Sequence, residues 1–376
     1  MTLSEKQKTY LIIPMKNNPI LKNLKLRALG LAILISVSIS CGKTDNPIPI
    51  DPVIPSPTAG TFSNPLMNGA DPSVYQKDGV YYYLQTNGSS ISLWATTAMS
   101  KLSAAIPKTI FVPVAGTANS RNVWAPELYF IDGKWYIYYT AGNGEDISQR
   151  TWVLENSSAD PTTGTWVDKG RIFTPDADFW AIDGSILEMN GSRYFMWCGR
   201  PDVSNVNLTQ NIYIAKMANP YTLAGSATKL TEPELNWEKN GFGVNEGPQA
   251  LISPDNKAFL IYSASYCGTD DYALGMLSLK TGGNPLVKAD WQKSAQPVFS
   301  KQPQSNAYGP GHNSFFKSPD GKENWIVYHA NSETNQGCAE RRNVRMQKFT
   351  FKTDGSPDFG VPVATGLQIS KPSGEQ

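Results

Sequence analysis

Five times from about residue 62 onward, the chain runs through the same order of chemical types. A polar or acidic turn opens into an apolar strand, a short turn follows, and a second strand dense in Tyr and Trp leads through a loop to a third. The units open with "ADPSVYQ", "VWAPELYFI", "AIDGSILEM", "NEGPQALISPD" and "GPGHNSFFKSPDGK". Their second strands read "VYYYLQT", "KWYIYYTAG", "SRYFMWCGR", "AFLIYSASY" and "ENWIVYHAN". A recurring unit is the signature of a repeat architecture, and no stretch of helical 3.6 periodicity interrupts this one. Five antiparallel units of three or four strands predict an all-β chain folded as a five-bladed β-propeller. A β-sandwich would have no need for a polar residue at one phase of every unit. Those residues, Asp71, Glu127, Asp183, Glu246 and His312, lie 56, 56, 63 and 66 residues apart. In a propeller the first strand of each blade lines the central channel and its starting turn opens on one face. Asp71, Asp183, Glu246 and His312, distant in sequence, are thereby expected to meet.

The N-terminus stands outside the repeat. Positive "KNLKLR" (22–27) precedes the apolar run "ALGLAILISVSIS" (28–40), which ends at Cys41. Thirteen apolar residues are too few to span a bilayer, which needs about 20, so the segment reads as an export signal. A Cys directly after the apolar run resembles a bacterial lipoprotein signal, although Ser38-Ile39-Ser40 lacks the usual Leu. Residues 1–41 are accordingly expected to be a signal ending at an acylated Cys41, with an ordinary cleaved signal as the alternative. The stretch 42–61 contains "TDNPIPIDPVIPSPTAG", which fits an extended tether, and 62–376 is the expected propeller domain. Export places the protein on a bacterial membrane, at the periplasmic face or the cell surface. Lys and Arg total 33 against 32 Asp and Glu. That balance leaves no field to attract nucleic acid.

Converging carboxyls without metal-ligand spacing point to acid–base work. Glycoside hydrolysis needs one carboxylic acid to protonate the leaving oxygen and one carboxylate to activate water or attack the sugar. Glu246, followed by the stiff pair Gly247-Pro248, is favoured as the proton donor, with a pKa raised by burial and neighbouring carboxylates. Each acid taken alone reads as a turn residue satisfied by nearby N–H groups. Three of them at matching places in a repeat, beside Trp and Tyr, read as a site.

The series "NGADPSV", "NVWAPELYFIDGKWYIYYTA", "WAIDGSIL", "NEGPQALI" and "YGPGHNSFF", one per unit, resembles glycoside hydrolase family 43. The likeness covers roughly 62–365. It implies a five-bladed propeller that cleaves α-L-arabinofuranosides or β-xylosides with inversion, needs no cofactor for the chemistry and acts as a monomer. By the same resemblance Asp71 is the general base, Asp183 the residue that tunes and orients the acid, and Glu246 the general acid. Trp124 and Trp180 are expected at the sugar, with packing as the alternative for Trp124. Arg342 is expected on substrate hydroxyls. His329 is placed near the same face, in substrate contact or packing. His312 is either beside a central Ca²⁺ or other ion held largely by water, or hydrogen-bonded in the channel without metal. Cys267 and Cys338 fall in the same loop of adjacent units and either bridge there or stay reduced, while Cys198 is expected free. The pattern looks most like the arabinofuranosidase branch acting on arabinose-containing polysaccharide or oligosaccharide. A β-xylosidase, an endo-arabinanase and a non-catalytic sugar-binding propeller are the alternatives.

Overall fold

The computed structural model describes residues 60–176, 178–201, 207–338 and 340–376. The signal, Cys41 and the tether up to residue 59 lie outside the described residues. Five sheets form the body, and each has its first strand innermost. Blade I comprises 73–77, 80–84, 91–96 and 108–111; blade II 121–131, 134–142, 150–156 and 167–171; blade III 181–189, 192–199, 211–219 and 222–231. Blade IV comprises 245–252, 258–264, 273–279 and 291–293, and blade V 308–317, 324–331 and 343–351. Consecutive strands pair antiparallel throughout.

Strand alternation builds five cores rather than one. Successive side chains on a strand point to opposite faces, and in a radial sheet both faces meet a neighbouring blade. Tyr81 and Tyr83 therefore pack toward blade V, with Phe316, Trp325 and Val327. Tyr82 and Leu84 pack toward blade II, with Trp135, Ile137 and Tyr139. Each large apolar side chain buried in this way contributes about 1.5–3 kcal/mol. This two-sided burial is why the second strands read as unbroken apolar and aromatic runs.

Two features were not anticipated. Blade V obtains its fourth strand from the other end of the domain: Met67–Asn68 pairs with Val344 and Asn343. Just upstream, the buried Asn64 side chain imitates a strand, donating to the Met346 carbonyl and accepting from the Met346 N–H, each at 2.9 Å. Thr61–Phe62 pairs with Ile369–Ser370, so the beginning and end of the domain share a sheet.

The second feature corrects the phase of the polar residues. One residue near the start of each inner strand has left-handed backbone: Asp71 (φ 56°), Ala125 (42°), Asp183 (56°), Gly247 (55°) and His312 (47°). Bulges in the inner strands of blades II to V fall at these places, between Trp124 and Glu127, Ile182 and Ser185, Glu246 and Gln249, and Gly311 and Ser314. Asp71, Asp183 and His312 do share a phase. Glu246 sits one residue ahead of it, and Glu127 two residues behind, level with Ser73, Ser185, Gln249 and Ser314. Glu127 consequently lies deeper in the channel. Left-handed backbone is costly for residues other than Gly and tends to cluster at functional sites.

Candidate active site

A repeating hydrogen bond holds the left-handed residues in place. The Ala125 N–H donates to Thr86 Oγ1 (2.8 Å) and the Asp183 N–H to Thr140 Oγ1 (3.0 Å). The His312 N–H donates to Ser263 Oγ (2.7 Å) and the Asp71 N–H to His329 Nδ1 (3.1 Å). In every case the acceptor lies within two residues of the end of the second strand of the preceding blade around the ring. Cys198 occupies that position at the fifth junction, between blades III and IV. Its thiol, a weak acceptor, is engaged with Gln210 Oε1 at 3.4 Å. The Gly247 N–H donates instead to Asp183 Oδ2 (3.0 Å). A carboxylate of blade III is thus fastened to the backbone next to Glu246.

Asp71 is surrounded by cationic and donor groups. Arg342 Nη1 approaches Oδ1 at 3.1 Å, and the Thr86 hydroxyl donates to Oδ2 at 2.6 Å. Nδ1 of His312 and Nδ1 of His329 lie 3.3 and 3.4 Å from Oδ1. Burial alone would raise this carboxyl, but the Arg342 charge, joined by the Thr86 bond, outweighs it and holds it well below the usual carboxylate range. Because His329 Nδ1 accepts the Asp71 N–H, that ring is neutral with its proton on Nε2. Burial, seconded by Arg342, also depresses its pKa. The positive charge facing Asp71 is therefore that of Arg342.

Asp183 and Glu246 are shifted the other way. Burial and then the Glu246 charge push Asp183 well up, opposed by the Gly247 N–H. Burial raises Glu246 to about 7, and Asp71 adds to the rise. The Tyr272 hydroxyl, donating to Glu246 Oε1 at 2.7 Å, and Arg342 pull it down. One mouth of the channel thus holds a carboxyl kept ionised and another kept protonated near neutrality. Deeper down, Glu127 accepts hydrogen bonds from Tyr129 and Gln249 and is raised by burial to about 8. It borders a cavity of about 170 Å³ with Ser73, Ser314 and Tyr129.

The remaining expected residues separate into three groups. Trp124 is half-buried beside the bulge that carries Ala125. Arg342 reaches the site, and its seat is on Asp71; a second cavity of about 400 Å³ opens there, lined by Ala70, Thr86, Asn87, Cys338 and Arg342. Trp180 and His329 do not present open faces. Trp180 is 4% exposed and packs with Ile182 in the core between blades III and IV, with the Arg200 guanidinium 4.1 Å from its ring. His329 is spent on the Asp71 N–H, and its ring stacks on Tyr272 (5.8 Å between centroids, 7° between planes). His312 is buried and faces Asp71 and Gly247. Among the described residues no group of three or more His, Cys, Asp or Glu is placed to hold a metal. Cys267 and Cys338 form a disulfide, and Cys198 is free and buried. Thr86, Thr140, Ser263 and Tyr272 were missed by sequence reasoning. The hydroxyls ending "YLQT", "YYT" and "YS" at one phase of the repeat were the available signal.

An ionised and a protonated carboxyl at the mouth of a five-bladed channel are the machinery of a glycoside hydrolase. The chain belongs to glycosyl hydrolases family 43, whose profile matches residues 62–357. It is 41% identical over 329 residues to an extracellular exo-α-(1→5)-L-arabinofuranosidase of Streptomyces avermitilis, covering 85% of this chain and 67% of that one. It is 37% identical over 319 residues to α-L-arabinofuranosidase 43 of Humicola insolens, covering 83% of this chain and 65% of that one. The chain therefore spans about two thirds of the length of these relatives. The crystal structure of an α-L-arabinofuranosidase from Lactobacillus brevis superposes with a TM-score of 0.76 at 35% identity, covering 81% of this chain and 98% of that one.

Proposed function

We propose that this protein is an exported, inverting exo-acting hydrolase that releases L-arabinofuranose from α-linked arabinan or arabinose-substituted polysaccharides and oligosaccharides. The observation that carries the reading is the contrast of surroundings in one cleft: Arg342 and the Thr86 hydroxyl hold Asp71, whereas Glu246 has the Tyr272 hydroxyl as its donor. Asp71, held as an anion, takes a proton from a water molecule that attacks the anomeric carbon. Glu246, still protonated near neutral pH, gives its proton to the glycosidic oxygen as the bond to the sugar breaks. Attack and departure on opposite faces invert the anomeric centre, which calls for carboxyls about 6.5–9.5 Å apart with room for the water. Asp183, tied to the Gly247 N–H, orients the acid and shares its proton-rich environment. Trp124 supplies a wall for the sugar ring, since aromatic faces pack on apolar sugar faces. The names borne by the relatives support the arabinoside over the xyloside.

Export is supported by the relatives named extracellular. We assign 1–41 to a lipoprotein-type signal, 42–61 to the tether and 62–376 to the catalytic domain working as a monomer, with acylated Cys41 as the anchor. Labelled palmitate should enter the parent and not a Cys41→Ser variant.

The deciding experiment is hydrolysis by soluble protein beginning at Thr44. It should cleave 4-nitrophenyl α-L-arabinofuranoside and arabinan much faster than the corresponding β-xyloside, and the first product seen by NMR should be the β-anomer. Asp71→Asn and Glu246→Gln should each lose at least about a thousandfold on arabinan, within the range general acid–base catalysis supplies. A parent inactive on every arabinoside would refute the reading.

A further inference from the structure

Tyr272 belongs to no part of the acid–base scheme above, yet it is 1% exposed and its hydroxyl donates to Glu246 Oε1 at 2.7 Å. We propose that Tyr272 is a positioning residue for the proton transfer, holding one oxygen of Glu246 so that the other delivers the proton to the leaving group. The inference rests on the reading of Glu246 as the general acid.

Three independent features fix the tyrosine. Its ring lies parallel to the His329 imidazole, 5.8 Å away, and His329 in turn accepts the N–H of Asp71. One ring stack thereby joins the residue that touches the acid to the residue that touches the base. On the blade V side, Gly311 passes so close that a β-carbon there would lie 2.3 Å from Tyr272 Cε1, which gives the ring a single seat. The loop leading into Tyr272 is braced against blade V by the Cys267–Cys338 disulfide and by Asp270. The carbonyl of Asp270 accepts the Gly309 N–H at 2.9 Å, and its carboxylate accepts the Asn335 N–H at 2.8 Å.

The Tyr272 hydroxyl lies between Glu246 Oε1 and Ser263. Ser263 Oγ accepts the His312 N–H and hydrogen-bonds Tyr272. The phenol proton is donated to Glu246 Oε1, with the Ser263 hydroxyl as the second partner of the phenol. With Oε1 taken, the transferable proton resides on Oε2. It passes to the glycosidic oxygen, which keeps the electron pair of the breaking C–O bond, and the nucleophilic water loses its proton to Asp71. Tyr272 transfers nothing. Its hydrogen bond grows stronger as Glu246 becomes an anion, because bonds to ionised acceptors are roughly twice as strong as neutral ones, so it assists the transfer itself.

The titratable and charged groups facing Glu246 are Tyr272, Asp71, Asp183, Arg342 and the Cys198 thiol; those facing the Tyr272 ring and hydroxyl also include His329. Of these, Tyr272 and Arg342 favour the Glu246 anion. Tyr272→Phe keeps the ring, the stack and the Gly311 contact and deletes only the donor. The alkaline limb of kcat/KM should move up by about one pH unit, the scale of one hydrogen bond to a charged group. Activity on an arabino-oligosaccharide should fall about tenfold. The loss should be much smaller on 2,4-dinitrophenyl α-L-arabinofuranoside, whose leaving group departs without a proton. Equal losses on both substrates, or an unmoved limb in a variant whose melting temperature matches the parent, would overturn the proposal. A parent without arabinoside activity would refute the underlying reading as well.

Discussion

Removing the charge of Arg342 tests the site at its most polarised point. The guanidinium lies 3.1 Å from Asp71 Oδ1, with the two side chains only 15% and 12% exposed, so bulk ions screen the pair little. The neighbouring imidazoles are no substitute, since burial depresses both of their pKa values and His329 Nδ1 is already an acceptor. An opposite charge at this range lowers an Asp by about 1–3 pH units. The base form of Asp71 exists above its pKa, so raising that pKa moves the acidic limb of kcat/KM upward by the same amount. Arg342 also draws Glu246 down, so its loss lifts the alkaline limb too. Arg342→Gln should therefore displace the whole bell toward alkaline pH, with the relative rate falling at and below about pH 4 and rising above pH 7. The stability contributed by the pair follows the same sign. It is present above the unfolded pKa of 3.8 and is lost as pH falls through the depressed folded value. Rates measured on 4-nitrophenyl α-L-arabinofuranoside between about pH 3 and 9 read the alkaline limb of both proteins and the raised acidic limb of the variant. A bell that stays in place while its height drops would show that Arg342 serves only the sugar hydroxyls, and the electrostatic argument would be wrong.

Other outcomes follow from the same geometry. Glu127 is raised from 4.5 to about 8, so its contribution is present below the unfolded value and lost as pH rises through the folded one. The melting temperature of Glu127→Gln relative to the parent should accordingly climb between about pH 5 and 8. Cys198→Ser restores a strong acceptor at the fifth junction; by competing for the Gly247 N–H it should release Asp183 and lower kcat on arabinan about tenfold, more than Cys198→Ala does. Replacing Cys267 and Cys338 together by Ala should reduce the unfolding free energy in urea by about 2–4 kcal/mol, as expected for a bridge closing a long loop. It should also lower kcat, because the same bridge braces the loop that ends at Tyr272.

The architecture was legible because each blade repeats the same two-sided burial, and that constraint writes itself into Tyr- and Trp-rich second strands. The closing strand was not, because Met67–Asn68 is too short to show a period and its partners lie at the far end of the domain. The three acids were visible as types but not in their offsets. Glu246 stands one residue ahead of the left-handed position and Glu127 two behind it, and only the bulges reveal this. Trp180 looked like a sugar wall from its nearness to Asp183. Strand parity puts it on the face of Ile182 instead, inside a core. His329 stands at the expected face, but its acceptance of a backbone N–H leaves no mark in the sequence.

The short closing strand has a chemical consequence. Asp71 follows Met67–Asn68 by three residues, and Arg342 immediately precedes the strand to which that segment pairs; the Gly69 N–H donates to the Arg342 carbonyl at 3.0 Å. Asp71 and its counter-ion, 271 residues apart in the chain, therefore meet only when the ring is shut. A molecule with its first and last blades parted would carry an ordinary Asp71, protonated in acid. Turnover at low pH is then a latch sensor: it counts closed rings.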